Sequence, residues 1–475
     1  MSYTVIFIDT TGIQNYIFSS NRLRENIGAS YLVSAATGKW VRETLEKELN
    51  IPEDKQTEPI ENSNYDAELV YGDGGNALLI FKEKKAASKF SKILSKRVLL
   101  EAAGLNLLIA NCEFDWYGEK KLYQLVKELI TDRIERQKHE RSLSVPLLGL
   151  GVTATCNSNL LPAVASSDKY IRYDDDEQEK SYLISTETKH KLIAAPKANE
   201  KLEKLLARVI NSKCNYKSDY KSTSGYHFNF YQFPYRTDNL GRSEGESSYA
   251  AVIHADGNGM GKRFQNYGEG RENRDYIIAM RKFSQSIKKA GENALIAVIK
   301  TIINSLSEGQ VVGKQAKFSL KRNNLPFRPL IYGGDDTTFV CEGRLGLELA
   351  ALYLQELEKQ PVADGIKLTA CAGICVVKTH YPFARAYSIS EVLCQEAKKF
   401  VKNERELEPE GFSALDWHLA ASGLIGTIKD IRQREYQENS GNLNMRPLRL
   451  QQNANEWRTW EGFTQVLTQF YKDKK

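Results

Sequence analysis

The sequence is short of the residues that would place it quickly. Its 475 residues include seven cysteines, six histidines, twelve prolines and five tryptophans. The cysteines, at 112, 156, 214, 341, 371, 375 and 394, are odd in number and contain no Cys-x-x-Cys pair. Neither a disulfide framework nor a zinc knuckle is therefore written here. Cys371 and Cys375 enclose Ala-Gly-Ile and read as small buried apolar residues. No histidine stands directly before an aspartate, and His254-Ala-Asp256 comes nearest. That argues against a histidine–aspartate metal nuclease. Long apolar runs are missing too. Nothing approaches the ~20 residues of a bilayer span, and the start, Met1-Ser-Tyr-Thr-Val-Ile-Phe-Ile-Asp9, reads as a strand rather than a signal peptide. The expectation is a cytoplasmic protein with no membrane partner. Charge is nearly balanced, with 66 basic and 60 acidic residues leaving +6. That excess is too small to mark a nucleic-acid track by itself.

What is present is a repeat. Tyr3-Thr-Val-Ile-Phe-Ile-Asp9-Thr-Thr-Gly-Ile-Gln and Tyr249-Ala-Ala-Val-Ile-His-Ala-Asp256-Gly-Asn-Gly-Met-Gly are both apolar runs ending in an aspartate and a glycine-containing turn. Downstream of each lies a hairpin pattern, apolar strands around a Gly/Asp turn. These are Glu68–Phe81, with Tyr71-Gly-Asp-Gly-Gly-Asn76 at its tip, and Pro329–Cys341, with Gly333-Gly-Asp-Asp336. A strand with a central glycine follows in each half, expected at Leu148–Cys156 and Leu368–Val377. Three matched elements in one order predict two related domains in tandem. Apolar residues at helical spacing from Tyr276 to Ile302 predict an amphipathic helix between strand and hairpin. Further helices are expected around Leu345–Glu358 and Ala386–Lys402. The fold class is thus α+β, with helices covering two sheets. By sequence the parts are a first domain over 1–168, a linking region over 169–245, a second domain over 246–405 and a helical tail over 406–475. Within the linker, Asp174–Lys180 reads as a solvated charge run. Tyr216–Arg236 interleaves aromatics with lysines, which fits a packed strand face or base stacking.

The chemistry-bearing pattern is Asp256-Gly-Asn-Gly-Met-Gly261 together with Gly333-Gly-Asp335-Asp336. A strand-end aspartate and two hairpin-turn aspartates bring three carboxylates together. Hard divalent cations take oxygen ligands and keep positions open for water and phosphate oxygens. Two such ions support in-line displacement at a phosphate. Gly257, Asn258, Gly259 and Gly261 allow backbone approach to a triphosphate, and Gly333 and Gly334 leave room for a base and ribose.

These residues give the second half a resemblance to the palm of nucleotidyl cyclases and polymerases. Through Asp9–Phe18, Arg24–Leu32, the Asp256 turn, Gly333–Asp336 and Ala397-Lys-Lys399, residues 1–420 resemble the large palm-domain subunit of type III CRISPR interference complexes. That family makes cyclic oligoadenylate from ATP and carries two ferredoxin-like palms, of which only the second has the Gly-Gly-Asp-Asp turn. The resemblance implies an ATP-dependent nucleotidyltransferase for antiviral defence, with Asp256, Asp335 and Asp336 holding two Mg²⁺ or Mn²⁺ ions beside the Gly257 carbonyl. It implies phosphate binding by Lys398 and Lys402, whose other reading is a solvated basic face. It also implies a metal-free nucleotide-holding site at Gly72, Asp73, Gly74 and Gly75. CRISPR RNA and type III effector subunits are the implied partners, and with two palms in one chain, homodimerisation is not required for chemistry. The family's histidine–aspartate nuclease domain and zinc-binding cysteines have no counterpart in these 475 residues, and its C-terminal helical domain is shortened. Two other readings stay open: an RNA- and protein-binding structural subunit with a vestigial palm, and a template-directed polymerase.

Overall fold

The computed structural model describes residues 2–140, 151–171, 180–210, 231–240, 248–307, 310–313, 317–321, 323–404, 411–420, 426–453 and 456–472. The chain divides into two compact units. One is residues 1–200 with 261–285, the other 201–260 with 286–475. Residues 261–285, assigned by sequence to the second domain, therefore fall within the first unit, and the linking region divides at residue 200 between the two.

The first unit holds a four-stranded antiparallel sheet. Ser2–Thr11 lies between Asn76–Phe81 and Asn106–Asp115, and Ala67–Asp73 completes the hairpin edge. Both faces of the central strand are covered, because Val5 and Phe7 on one side and Ile6 and Ile8 on the other are all buried. Such a strand reads as a continuous apolar run rather than an alternation. Helices Ile13–Phe18, Leu23–Thr37 and Lys39–Leu49 follow the first strand, and Lys84–Glu101 links the hairpin to the last one. On one face, Val5, Phe7, Val70, Leu78, Ile80 and Leu108 form a core that Tyr276, Ile277 and Met280 join.

The second unit repeats this plan and extends it. Tyr249–Gly257 lies between Asp336–Glu342 and Ala370–Lys378, with Phe327–Ile331 at the hairpin edge. Two more strands continue the sheet. Ala414–Leu419 pairs in parallel with Ala370–Lys378, and Leu448–Arg449 lies beyond it. The helices are residues 286–304 of Asn273–Asn304, Gly346–Glu358 and Phe383–Asn403, all three elements close to the sequence expectation. Both sheets have the strand order of a ferredoxin-like palm, hairpin, then first strand, then last.

Two expectations need correcting. The partner of Ala370–Lys378 in the first sheet is Asn106–Asp115, not Leu148–Cys156. The central glycine misled, because Gly373 serves local packing. A Cβ there would meet the Ser390 carbonyl at 1.9 Å, whereas the matching first-sheet residue is Ala110. Residues 148–150 lie outside the described residues, and 151–156 form turns and one isolated bridge. The C-terminal segment is likewise more than a helical tail. Ala414, Leu415, Asp416, Trp417 and His418 are all buried, and only pairing within a covered sheet satisfies such a run. The acidic run over 172–179 and the aromatic run over 216–230 lie outside the described residues.

Candidate active site

In the second unit, register brings the acids together. Asp256 pairs directly with Asp336 across the sheet, and Asp335 precedes it in the hairpin turn. Ligand oxygens of Asp256, Asp335 and Asp336 all lie within 4.8 Å of one another. Among the described residues no other acidic, cysteine or histidine group is this tight. Burial raises the Asp335 carboxyl above the usual carboxylate range, and Asp256 adds to it. Asp336 is pushed well up by burial and then by its two acidic neighbours. Unpaired like charges at this spacing cannot all ionise cheaply.

Lys398, on helix Phe383–Asn403, answers part of that charge. Its ammonium pairs with Asp256 Oδ2 and donates to the Gly257 carbonyl at 3.3 Å. Burial works against its charge, yet Asp256 outweighs this and the pKa is raised. Lys402, one turn further on, is exposed.

The glycines divide by role. Gly333 has φ +88°, and a Cβ there would approach only Glu292 and Lys288 atoms at 3.6 Å or more. Gly334 is open, with a single atom at 4.0 Å. Gly259 has φ +68°, and nothing lies within 4 Å of a Cβ at Gly261. Gly257 is crowded, since its Cβ would meet Met260 at 2.7 Å, and its N–H donates to the Asp335 carbonyl. Gly291 was missed by sequence reading. Its Cβ would sit 2.7 Å from the Gly334 carbonyl, so its absence lets the long helix support the acidic turn. Asn258, expected among the nucleotide-binding residues, has its side chain engaged within the protein. Its amide is engaged with Thr369, Phe412 and Cys371.

The first sheet shows the same frame with other side chains. Asp9 pairs with Asn76 as Asp256 does with Asp336. The turn positions of Gly334 and Asp335 are taken by Gly74 and Gly75. Both hairpins shift register at the same place, Leu69/Tyr71 and Pro329/Ile331. Gly12 and Gly259, each three residues past the strand-end aspartate, are both left-handed, at φ +65° and +68°. Lys138 lies 3.0 Å from Asp9, a pair that sequence reading did not find because Lys138 is distant in the chain. Burial raises the Asp9 pKa although Lys138 opposes it. Of the four turn residues proposed to hold a nucleotide, three are tied inward. The Gly72 carbonyl accepts from Arg42, Asp73 accepts from Ser34, and the Gly75 carbonyl accepts twice from Thr10. Gly74 faces open space.

Comparison with known proteins bears on the half that holds the acids. Residues 249–406 match the family model for the second palm domain of Cas10/Cmr2. This segment is similar to a Cas10/Cmr2 second palm. No curated protein matches the chain. Solved structures that resemble it include a Csm1–Csm4 cassette in complex with cA4 (13% identity, TM-score 0.46, covering 84% of this chain and 53% of that one). A Csm1–Csm4 cassette in complex with AMPPNP (16%, TM-score 0.43, 84% and 53%) and Csm1 from T. onnurineus (14%, TM-score 0.44, 84% and 52%) are similar too. The chain spans about half the length of these proteins. No helix among the described residues is long and apolar enough to cross a membrane.

Proposed function

We propose that the Cas10/Cmr2-type palm is a metal-dependent nucleotidyltransferase of the cyclase kind, joining ATP units into a cyclic oligoadenylate as part of a type III CRISPR response. The observation that carries this is the carboxylate triad, three oxygens within 4.8 Å at the register-matched end of adjacent strands. The donor set fits Mg²⁺ or Mn²⁺, since it is all oxygen and crowding of like charge adds to the raised pKa of Asp335 and Asp336.

Asp256, Asp335 and Asp336 would hold the ions. When bound, these supply charge neutralisation at the reacting phosphate and lower the pKa of an attacking hydroxyl. Lys398 stands beside the triad, already donating to Asp256 and Gly257, and is placed to donate to a phosphate oxygen instead. Gly333 and Gly334 keep the turn bare, so a ribose and base meet backbone rather than side chain. Supported by its repeat of the same frame, the first palm holds a second nucleotide at its Gly74 turn without metal. CRISPR RNA and effector subunits are the partners this reading calls for.

The test is to incubate the purified protein with Mg²⁺ and ATP, alone and with type III subunits carrying guide and target RNA, and to identify products by mass. Cyclic adenylates are expected. No nucleotide product under either condition, with intact ATP recovered, overturns the reading and favours a structural role.

A further inference from the structure

We propose that Asn258 is a positioning residue of this site, whose amide fixes the Asp256–Gly257 strand end where the ions are to be held. The inference rests on the metal-dependent reading above. Asn258 Nδ2 donates to Thr369 Oγ1 and to the Phe412 carbonyl, both at 3.1 Å. Its Oδ1 accepts from Cys371 Sγ at 3.3 Å, and its backbone N–H donates to the Thr369 carbonyl at 2.8 Å. The Phe412 carbonyl can only accept, so the orientation of the amide is set by its partners rather than chosen. Both Nδ2 protons are used, which leaves no donor for a base or phosphate.

The consequence is a clamp from two sides. Gly257 N–H binds the Asp335 carbonyl at 3.2 Å, tying the strand end to the acidic turn. Asn258 ties it to the starts of the two strands on the opposite side, Ala370–Lys378 and Ala414–Leu419. Asp256 immediately precedes these two ties in the chain. Carboxylates that repel each other need such support to hold a shared geometry before an ion arrives.

The first sheet is the control. Register places Thr11 where the second has Asn258, and Leu108 where it has Cys371. Among the described residues its sheet has four strands, with none beyond Asn106–Asp115 to supply a carbonyl like that of Phe412. Among the described residues the polar layer thus accompanies the paired carboxylates and is missing under the palm that lacks them.

Three variants test this: Asn258→Ala, Cys371→Ala and Cys371→Ser. Mn²⁺ affinity is read by calorimetry or electron paramagnetic resonance on folded protein, and synthesis is read against Mg²⁺ and ATP separately. Asn258→Ala should weaken Mn²⁺ binding and raise the half-saturating Mg²⁺ by about tenfold, with the KM for ATP at saturating Mg²⁺ little changed. Cys371→Ser, which keeps a donor to Oδ1, should stay near wild type, and Cys371→Ala should fall between. Wild-type Mn²⁺ affinity in Asn258→Ala, or a rise in the KM for ATP alone, overturns the positioning role. If Asn258→Ala does not fold, the cysteine pair decides, and equal affinities in both overturn it. A wild type whose Mn²⁺ binding survives Asp335→Ala/Asp336→Ala would instead remove the metal reading, and the inference with it.

Discussion

The two palms share a backbone and differ in how they settle charge. Both end the central strand in an aspartate, turn through a left-handed glycine three residues later, and shift hairpin register at the same step. Both aspartates meet a lysine, Asp9 with Lys138 and Asp256 with Lys398. The turn then separates them, with Gly75 and Asn76 in one and Asp335 and Asp336 in the other. In the first palm Lys138 is shared between Asp9 and Glu135. The second adds two crowded acids and keeps a charge deficit that folding alone does not repair. Crowded like charge is costly in the folded state, which is what the metal-dependent reading would explain.

The largest expected effect breaks this difference directly. Replacing Asp335 and Asp336 by Ala should reduce synthesis by about 10³-fold or more. The melting temperature should hold or rise, because the removed groups repel each other. Asn76→Ala, at the matching first-palm position, should leave synthesis within a few-fold. Rate assays with thermal melts on both variants check it, and equal losses in the two would erase the comparison.

A second contrast lies one turn of the pleat away, where His254 occupies the register position of Phe7. His254 is buried beside Thr338 and Tyr387, and burial lowers its pKa to about 4. The unfolded value is near 6.5, so protons favour the unfolded chain. This contribution is complete above about pH 6.5 and is lost as pH falls toward 4, reaching about 3 kcal/mol. Asp335 and Asp336, with raised values, act in the opposite direction. His254→Phe, which copies the first palm, should flatten the acid side of the stability curve relative to wild type. Denaturant midpoints from pH 7 to 4.5 measure it, and parallel curves would refute it.

Much of this frame was legible in the sequence, for a physical reason. Covered central strands must be apolar throughout, sharp turns must be glycine, and clustered carboxylates stand out against them. Tyr249–Asp256, the Gly333–Asp336 turn and the helix from Asn273 follow from those rules. What escaped depends on partners remote in the chain. Lys138 shows its purpose only beside Asp9, and Asn258 looked like a ligand residue until Thr369 and Phe412 absorbed its amide. Gly373 looked like a repeat marker and is a packing device. Buried charge was equally opaque. Glu68, reached by Arg274 and Arg281, and Arg328, 5.7 Å from the ring centroid of Phe233 and 5.4 Å from that of Tyr235, occupy the same register position with opposite sign.

The lysines sharpen the comparison at a smaller scale. Lys398→Ala removes the cation beside the triad and should lower synthesis by about 10- to 100-fold, near 2 kcal/mol. Lys138→Ala leaves Asp9 half-buried without this partner, so its main effect should be on stability, with synthesis reduced only a few-fold. Steady-state rates at saturating Mg²⁺ and ATP separate the two. A larger loss in Lys138→Ala would show that the first palm takes a direct part in the chemistry.

The smallest effect concerns the first palm's turn, where two adjacent glycines make different demands. Gly74 has φ +66° with nothing within 4 Å of a Cβ, so a side chain there meets solvent and strains only the backbone. That strain is about 1–2 kcal/mol for a residue such as Phe. Gly75 has φ +100°, and its Cβ would press Ile13 at 2.9 Å and Thr10 at 3.0 Å. Its substitution disturbs packing as well, and any functional loss there would be confounded. Gly74→Phe is therefore the readable variant. If the open side of this turn holds a nucleotide, the new ring takes its space while leaving Asp9, Lys138 and the second palm's carboxylates untouched. A non-hydrolysable ATP analogue should then fill two sites per wild-type chain and about one in Gly74→Phe, with the melting temperature only slightly lowered. Two sites retained in the variant would free the turn from any ligand role. One site in the wild type would leave the first palm as a frame that kept its fold and lost its nucleotide.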